Sequence, residues 1–369
     1  MTKDMVEQKY TIQGLEEYIR QSEPDRRERG EAWRVAIGLQ QVDGLTPSGY
    51  LVDTAKQHID GEITIGEAKA LIDSYYQSAS IRHEVENDRT EEADKVSARI
   101  AELLSEKTFN FSPAQLTSIH RRLFDGIYKL AGRFRDYNIT KNEWVLNGET
   151  IYYADYTTIS ETLEYDMRAE REFSYAGLPV DEAIRHLMRF CANLWQIHAF
   201  CEGNTRTTAV FMIKYLRTLG FNVVNDMFAQ NSWYFRNALV RANYSNLQKG
   251  ITETTVYLER FFRSMLLDEV HSFRNRELHI DWKNAETPED VQSANSALNL
   301  PLKCKSCTLE EVAVLRVVQT NPAATQKQMA VEIGKSERTV KSITVTLQEK
   351  GILQRVGGKR DGKWEIIGD

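Results

Sequence analysis

Cysteine is scarce: four in 369 residues. That is too few for a disulfide framework in so long a chain and points to a reducing, cytoplasmic setting. Cys304-x-x-Cys307 has the spacing of half a zinc site, but no second half is in view. No apolar run approaches the roughly 20 residues of a membrane span. The opening Met1-Thr2-Lys3-Asp4-Met5-Val6-Glu7 lacks the apolar core of a signal peptide. Internal repeats and low-complexity tracts are absent. A formal net charge of −6 excludes whole-surface nucleic-acid binding and leaves room for a local basic patch.

What remains is a globular composition, 41% hydrophobic and 27% charged, in a chain long enough for two or three domains. The patterning predicts a mainly α protein with four stretches. Residues 1–80 read as helical, with helices over Glu31–Val42 and Tyr50–Ile59. A capping box, Thr64-Ile65-Gly66-Glu67, opens a further helix. Residues 89–280 form a helical core in which Ser112-Pro113-Ala114-Gln115 supplies a cap, a proline at N1 and a glutamine at N3. Within it, Tyr137–Tyr153 holds two β-prone runs around Asn147-Gly148, predicting a β-hairpin flap. Residues 281–302 are a polar linker. Residues 303–369 predict three helices and a hairpin, the order of a winged helix-turn-helix.

Chemistry concentrates in His198-Ala199-Phe200-Cys201-Glu202-Gly203-Asn204-Thr205-Arg206. Apolar residues at helical spacing precede it over Val180–Ile197 and follow it over Asn204–Leu219, so it is a short loop ending at a helix N-terminus. Such a terminus attracts anions through its free N–H groups and the helix dipole. His198 has the pKa of a general base acting on a hydroxyl. Glu202 is a hard oxygen donor suited to Mg²⁺ on a diphosphate. Gly203 lets the backbone approach phosphate oxygens, and Asn204, Thr205 and Arg206 offer N–H groups and a guanidinium to them. A structural alternative is that His198 and Glu202 merely cap the two helices.

The nine residues resemble the signature of Fic-domain proteins, His-x-Phe-x-(Asp/Glu)-Gly-Asn-x-Arg, and the likeness extends over about residues 89–280. Gly132-Arg133-Phe134-Arg135 resembles a second family segment, and the expected hairpin resembles the flap that aligns target peptides. The resemblance implies a protein adenylyltransferase: ATP, with Mg²⁺, gives AMP to a Ser, Thr or Tyr hydroxyl of a target protein or of the chain itself. By position, His198 is then the base and Glu202 the metal ligand. Gly203, Asn204, Thr205 and Arg206 bind the phosphates, and Phe200 anchors the loop. Two positions depart from the pattern. Thr205 replaces the usual glycine, and Ala209 replaces the second arginine that grips the terminal phosphates. One charge-assisted hydrogen bond contributes roughly 1.5–3 kcal/mol, so ATP would bind about ten- to a hundredfold more weakly. Transfer of another nucleotide or of a phosphoryl group stays open, as does a nucleotide-sensing, DNA-binding regulator with a degenerate Fic core.

The stretch Ala36–Pro47 and the helix after it resemble VbhA-type antitoxins, which inhibit Fic toxins with a glutamate at a helix end. The matching residue is Asp43, followed by Gly44, with Leu39 where the antitoxins carry Ser or Thr. An inhibitory Asp43 is the expectation, against a plain helix end; Ser80-x-x-x-Glu84 is a weaker match. Residues 303–369 hold twelve Lys and Arg against eight Asp and Glu. Lys335, Arg338 and Lys341 on the expected recognition helix, with Lys359 and Arg360 at the wing tip, predict DNA contact through phosphates. A protein-docking role is the alternative. The aromatic run Trp233-Tyr234-Phe235 reads as core more than as an adenine pocket.

Overall fold

The computed structural model describes residues 24–78, 88–221, 227–283, 304, 306–358 and 362–367. The wing-tip residues Lys359 and Arg360, the pair Ser80 and Glu84, and nearly all of the expected linker lie outside them. Thirteen α-helices and one two-stranded sheet occupy the described residues, so the fold is mainly α. They divide into two compact units, the first drawn from Met1–Tyr137, His198–Phe211 and Val224–Arg236, the second from Asn138–Ile197, Met212–Val223 and Asn237–Asp369.

In the first unit, α1 (Pro24–Gly38), α2 (Gly49–Asp60), α3 (Ile65–Gln77), α4 (Asp88–Ser105) and α5 (Pro113–Phe124) pack around Trp33, Ala36, Val96 and Ile100. The expected helix Glu31–Val42 ends sooner. Its last turn tightens into a 3₁₀ helix over Leu39–Asp43, stopped by Gly44 at φ 68°. The caps at Thr64 and Ser112 form as expected. The buried Asp94 carboxylate accepts from the Ser48 N–H, the Ser48 hydroxyl and the Tyr76 hydroxyl. One α4 side chain thereby ties the start of α2 to α3.

The second unit holds α6 (Ile159–Glu172), α7 (Val180–Ile197) and α10 (Val256–Leu267). To these are added α11 (Leu309–Thr320), α12 (Gln326–Glu332), α13 (Glu337–Glu349) and the antiparallel pair β1 (Leu353–Val356) and β2 (Lys363–Ile366). Between α7 and α10 in sequence, α8 (Asn204–Thr218) and α9 (Met227–Ala242) each begin in the first unit and end in the second. Three helices and a hairpin thus follow one another at the C-terminus in the expected order. Their capping boxes stand at Thr308 and Thr325 and a cap at Ser336. Arg316 fixes α11 to the end of α10 through the Met265 carbonyl and Asp268, while the Val180 N–H donates to the Cys307 carbonyl at 2.9 Å.

One local expectation is corrected, and one open spacing is resolved. Around Asn147-Gly148 the chain reverses, with Asn147 at φ 55°, but no strand ladder forms and Trp144–Leu146 is a 3₁₀ turn. Adjacent Val145 and Leu146 are both buried, which an alternating strand with one wet face cannot do. Cys304 and Cys307 form a disulfide, so their sulfurs serve each other and not a zinc ion. No group of three or more His, Cys, Asp and Glu side chains converges as a metal site among the described residues.

Gly38, the last residue of α1, lies against the α9 backbone. A Cβ there would stand 2.2 Å from the Ala229 carbonyl oxygen, and the Ser232 hydroxyl donates to the Gly38 carbonyl at 2.7 Å. Gly38→Ala is expected to lower unfolding free energy by about 1–3 kcal/mol through overpacking. Gly49→Ala, with open space around it, is the control. Denaturant titration of both variants checks this, and equal midpoints would contradict the close contact.

Candidate functional site

The nine-residue loop begins where α7 stops. His198 takes φ 48°, a left-handed conformation unusual for a residue with a Cβ. Arg135 holds that turn: its Nε donates to the His198 carbonyl at 2.8 Å, and its backbone N–H donates to the Ala199 carbonyl at 2.9 Å. The Gly132–Arg135 segment is therefore a strap across the start of the loop. Asn204 closes the other end, its side chain accepting from the Phe200 N–H at 2.9 Å and donating to the Phe200 carbonyl at 2.7 Å. Gly203 lies at φ 72°, and a Cβ there would come 2.3 Å from the Phe124 ring. No other residue type fits that position.

Arg206, one turn into α8, is 1% exposed and fully engaged. Its Nη1 donates to Gln40 Oε1 at 3.0 Å, and its Nη2 donates to Glu92 Oε1 at 2.6 Å and to the Tyr128 hydroxyl at 3.0 Å. Asp43 Oδ2 lies 2.8 Å from Nε, an ion pair off the line of a directed hydrogen bond. The Phe124 ring lies 4.8 Å beneath the guanidinium. Burial pulls the Arg206 pKa down, but Asp43, Tyr128 and Glu92 outweigh it and the net shift is upward. Two carboxylates on one buried cation leave the cluster with an excess negative charge.

Several expected site residues thus meet in the first unit, in roles finer than the sequence gives. Asn204 is a clasp within the loop. Arg206 contacts Asp43, while Ala209 stands where the resemblance places a second arginine. His198 is 4% exposed, so in this state its imidazole is shut away from an outside hydroxyl. Glu202 is exposed at the edge of a cavity of about 300 Å³ lined also by His120, Tyr128, Tyr137 and Cys201. A single exposed carboxylate suits Mg²⁺, which commonly takes one or two protein carboxylates and completes its shell with phosphates and water. The donor set therefore fits the ion that the family resemblance implies. Tyr234 and Phe235 are buried, in line with core packing.

Sequence reasoning missed His120, Gln40, Glu92, Tyr128 and Arg135 as parts of this cluster. The spacing of His120 and Phe124 was a readable signal, since residues four apart share a helix face, and Tyr128 follows in the turn beyond α5. The His120 and Phe124 rings lie tilted at a centroid distance of 4.9 Å, and Tyr128 stacks on Phe124 at 4.8 Å. Nothing in one sequence links Gln40 or Glu92 to Arg206, 166 and 114 residues away.

Residues 110–216 match the Fic/DOC family. Over 154 residues the chain is 26% identical to the protein adenylyltransferase VbhT of Bartonella schoenbuchensis, a match covering 40% of this chain and 30% of that protein's length. Residues 110–216 are thus similar to the Fic/DOC family, over a narrower stretch than the sequence resemblance drew. Two solved structures are also similar. The N-terminal Fic domain of a Bartonella effector protein from Bartonella sp. AR 15-3 has 22% identity and a TM-score of 0.35, over 46% of this chain and 77% of that one. A Fic family protein from Desulfovibrio desulfuricans G20 has 13% identity and a TM-score of 0.42, over 100% and 97%.

Burial pushes the His120 pKa down to about 4, so the folded protein holds this ring neutral. An unfolded histidine titrates near 6.5. Stability from His120 is therefore present above pH about 6.5 and is lost as pH falls to about 4. The two values correspond to roughly 3 kcal/mol. Relative to His120→Gln, which has no titrating ring, the wild type is expected to lose that much between pH 7 and 4. Parallel denaturant titrations measure the difference; one that does not change with pH would refute a neutral, buried His120.

Proposed function

We propose that this protein is a Mg²⁺-dependent protein adenylyltransferase restrained by its own N-terminal helix. The observation that carries this reading is the ion pair between Asp43 and Arg206 at the foot of the motif helix. In the active state, His198 takes the proton from a Ser, Thr or Tyr hydroxyl. The hydroxyl oxygen bonds to the α-phosphorus of ATP as the bond to the bridging oxygen breaks, and pyrophosphate leaves. Glu202 would hold Mg²⁺, which neutralises charge on the diphosphate. The α8 N-terminus and the Gly203 backbone receive phosphate oxygens. Arg206 can join them only after giving up a carboxylate. Burial of His198 fits the same state, since a base closed to outside hydroxyls does not turn over. The substrate hydroxyl lies on another protein or on the chain itself.

A second activity is proposed for the C-terminal helices, as a winged-helix DNA reader acting through phosphates. Arg338 and Lys341 lie on one exposed stripe of α13 with no ion-pair partner among the described residues. Lys335 and Lys350, by contrast, are neutralised by Glu310 and Glu311. On β1, Arg355 lies 4.9 Å over the Trp364 ring and leaves its charge on the surface.

Asp43→Asn keeps the shape of the side chain and removes its charge. It is expected to raise protein labelling from α-labelled ATP and Mg²⁺ about tenfold, the equivalent of ~1.4 kcal/mol. His198→Ala should abolish labelling in either background. If Asp43→Asn leaves the rate as it was, the brake is wrong; if no protein ever takes label, AMP transfer is wrong. Repeating the incubation with each nucleoside triphosphate and weighing the product separates AMP from other transferred groups. For DNA, the full chain on a mixed-sequence duplex should weaken linearly in log affinity with log salt. Arg338→Ala with Lys341→Ala should reduce that slope by about two, and a flat salt dependence for the wild type would rule the activity out.

A further inference from the structure

We infer that His120 is a positioning residue of the motif loop, setting the direction of the Gly203 N–H by holding the Glu202 carbonyl. The inference rests on the nucleotide-binding reading only for what that N–H meets. His120 lies on the buried face of α5, and both ring nitrogens are occupied. Nδ1 accepts from the Gly132 N–H at 2.8 Å, so it carries no proton. In the neutral ring the proton is then on Nε2, which donates to the Glu202 carbonyl at 3.0 Å. Rotation of the ring is blocked: Phe200 stacks on it at 3.8 Å with the planes 12° apart, and Phe124 packs at 4.9 Å.

In a trans peptide the carbonyl and the following N–H point to opposite sides. With the Glu202 carbonyl turned to His120, the Gly203 N–H must point away from α5. It donates to no group among the described residues. A free amide immediately before a helix N-terminus is the group an anionic oxygen seeks. Gly203 itself touches Phe124, four residues along α5 from His120. The same helix face therefore fixes both the place and the orientation of this one peptide. Gly132 completes the arrangement: the strap that holds His198 through Arg135 also donates the N–H that selects the His120 tautomer. Base and anion turn are thereby set by one continuous network.

The test compares the full-length wild type with His120→Phe, which fills the space without the hydrogen bonds, and His120→Gln, which retains an acceptor and a donor. Amide exchange is followed without nucleotide in peptides covering 199–207 and 113–124, and Mg²⁺-ATP affinity is titrated separately. His120→Phe is expected to speed exchange in 199–207 about tenfold, leave 113–124 unchanged, and weaken ATP about tenfold. His120→Gln should return both to within about threefold of wild type. Wild-type exchange in the Phe variant, or a Gln variant as fast as Phe, overturns the inference; so does exchange rising equally in 113–124, which would mark a packing role alone. If the wild type binds no nucleotide, the functional reading fails by itself, and the exchange experiment still decides the role of His120.

Discussion

A buried guanidinium cannot stay without partners, and Arg206 has recruited them from across the first unit: Gln40 and Asp43 on the turn after α1, Glu92 on α4, and Tyr128 just beyond α5. Removing a charge from water is costly, and an ion left unpaired inside is costlier still. The N-terminal helices, the core helices and the motif loop thus share one electrostatic centre. Whatever displaces Asp43 must itself be anionic or must bring water to Arg206. That requirement ties the state of the N-terminal segment to the occupancy of the proposed phosphate site.

The loop depends on a second constraint, a lack of space. Gly203 has no room for a Cβ beside Phe124, Asn204 uses its whole amide to close the bend on Phe200, and Arg135 holds the left-handed turn at His198. These groups cannot relax independently. The loop is shaped by contacts that involve no ligand, so its backbone amides are oriented before any anion arrives. In the proposed reading, preorganisation of this kind offsets the cationic grip that Ala209 does not supply.

How far the sequence reveals this depends on the range of the signal. Local chemistry was readable: Val180–Ile197 is the helix its periodicity predicts, and the caps at Thr64, Ser112, Thr308, Thr325 and Ser336 all form. The motif loop was legible because its nine residues are contiguous. The Asn147-Gly148 turn was readable too, but not its flanks, because burial of both Val145 and Leu146 decided their conformation. Partners of Arg206 were mostly hidden, since a carboxylate on a charged helix such as α4 looks like a solvated one until the fold brings a cation to it. The Cys304–Cys307 bond was hidden for a different reason: the same spacing serves zinc and sulfur alike.

The seam between α1 and its tail bears on how Asp43 could let go. Gly38 is seated on the α9 backbone and pinned by Ser232, whereas the five residues after it form only a 3₁₀ turn. Two backbone hydrogen bonds, from Gly44 to Gln41 and from Leu45 to Gln40, close that turn. In the proposed brake, withdrawing the carboxylate would loosen one short turn that buries Leu39, Gln40 and Val42 and whose Asp43 carbonyl accepts from Arg89, with the long helix left docked like a hinge plate. Release would therefore cost the burial of those side chains as well as one ion pair, making the switch the displacement of a packed turn and not the fraying of a loose end.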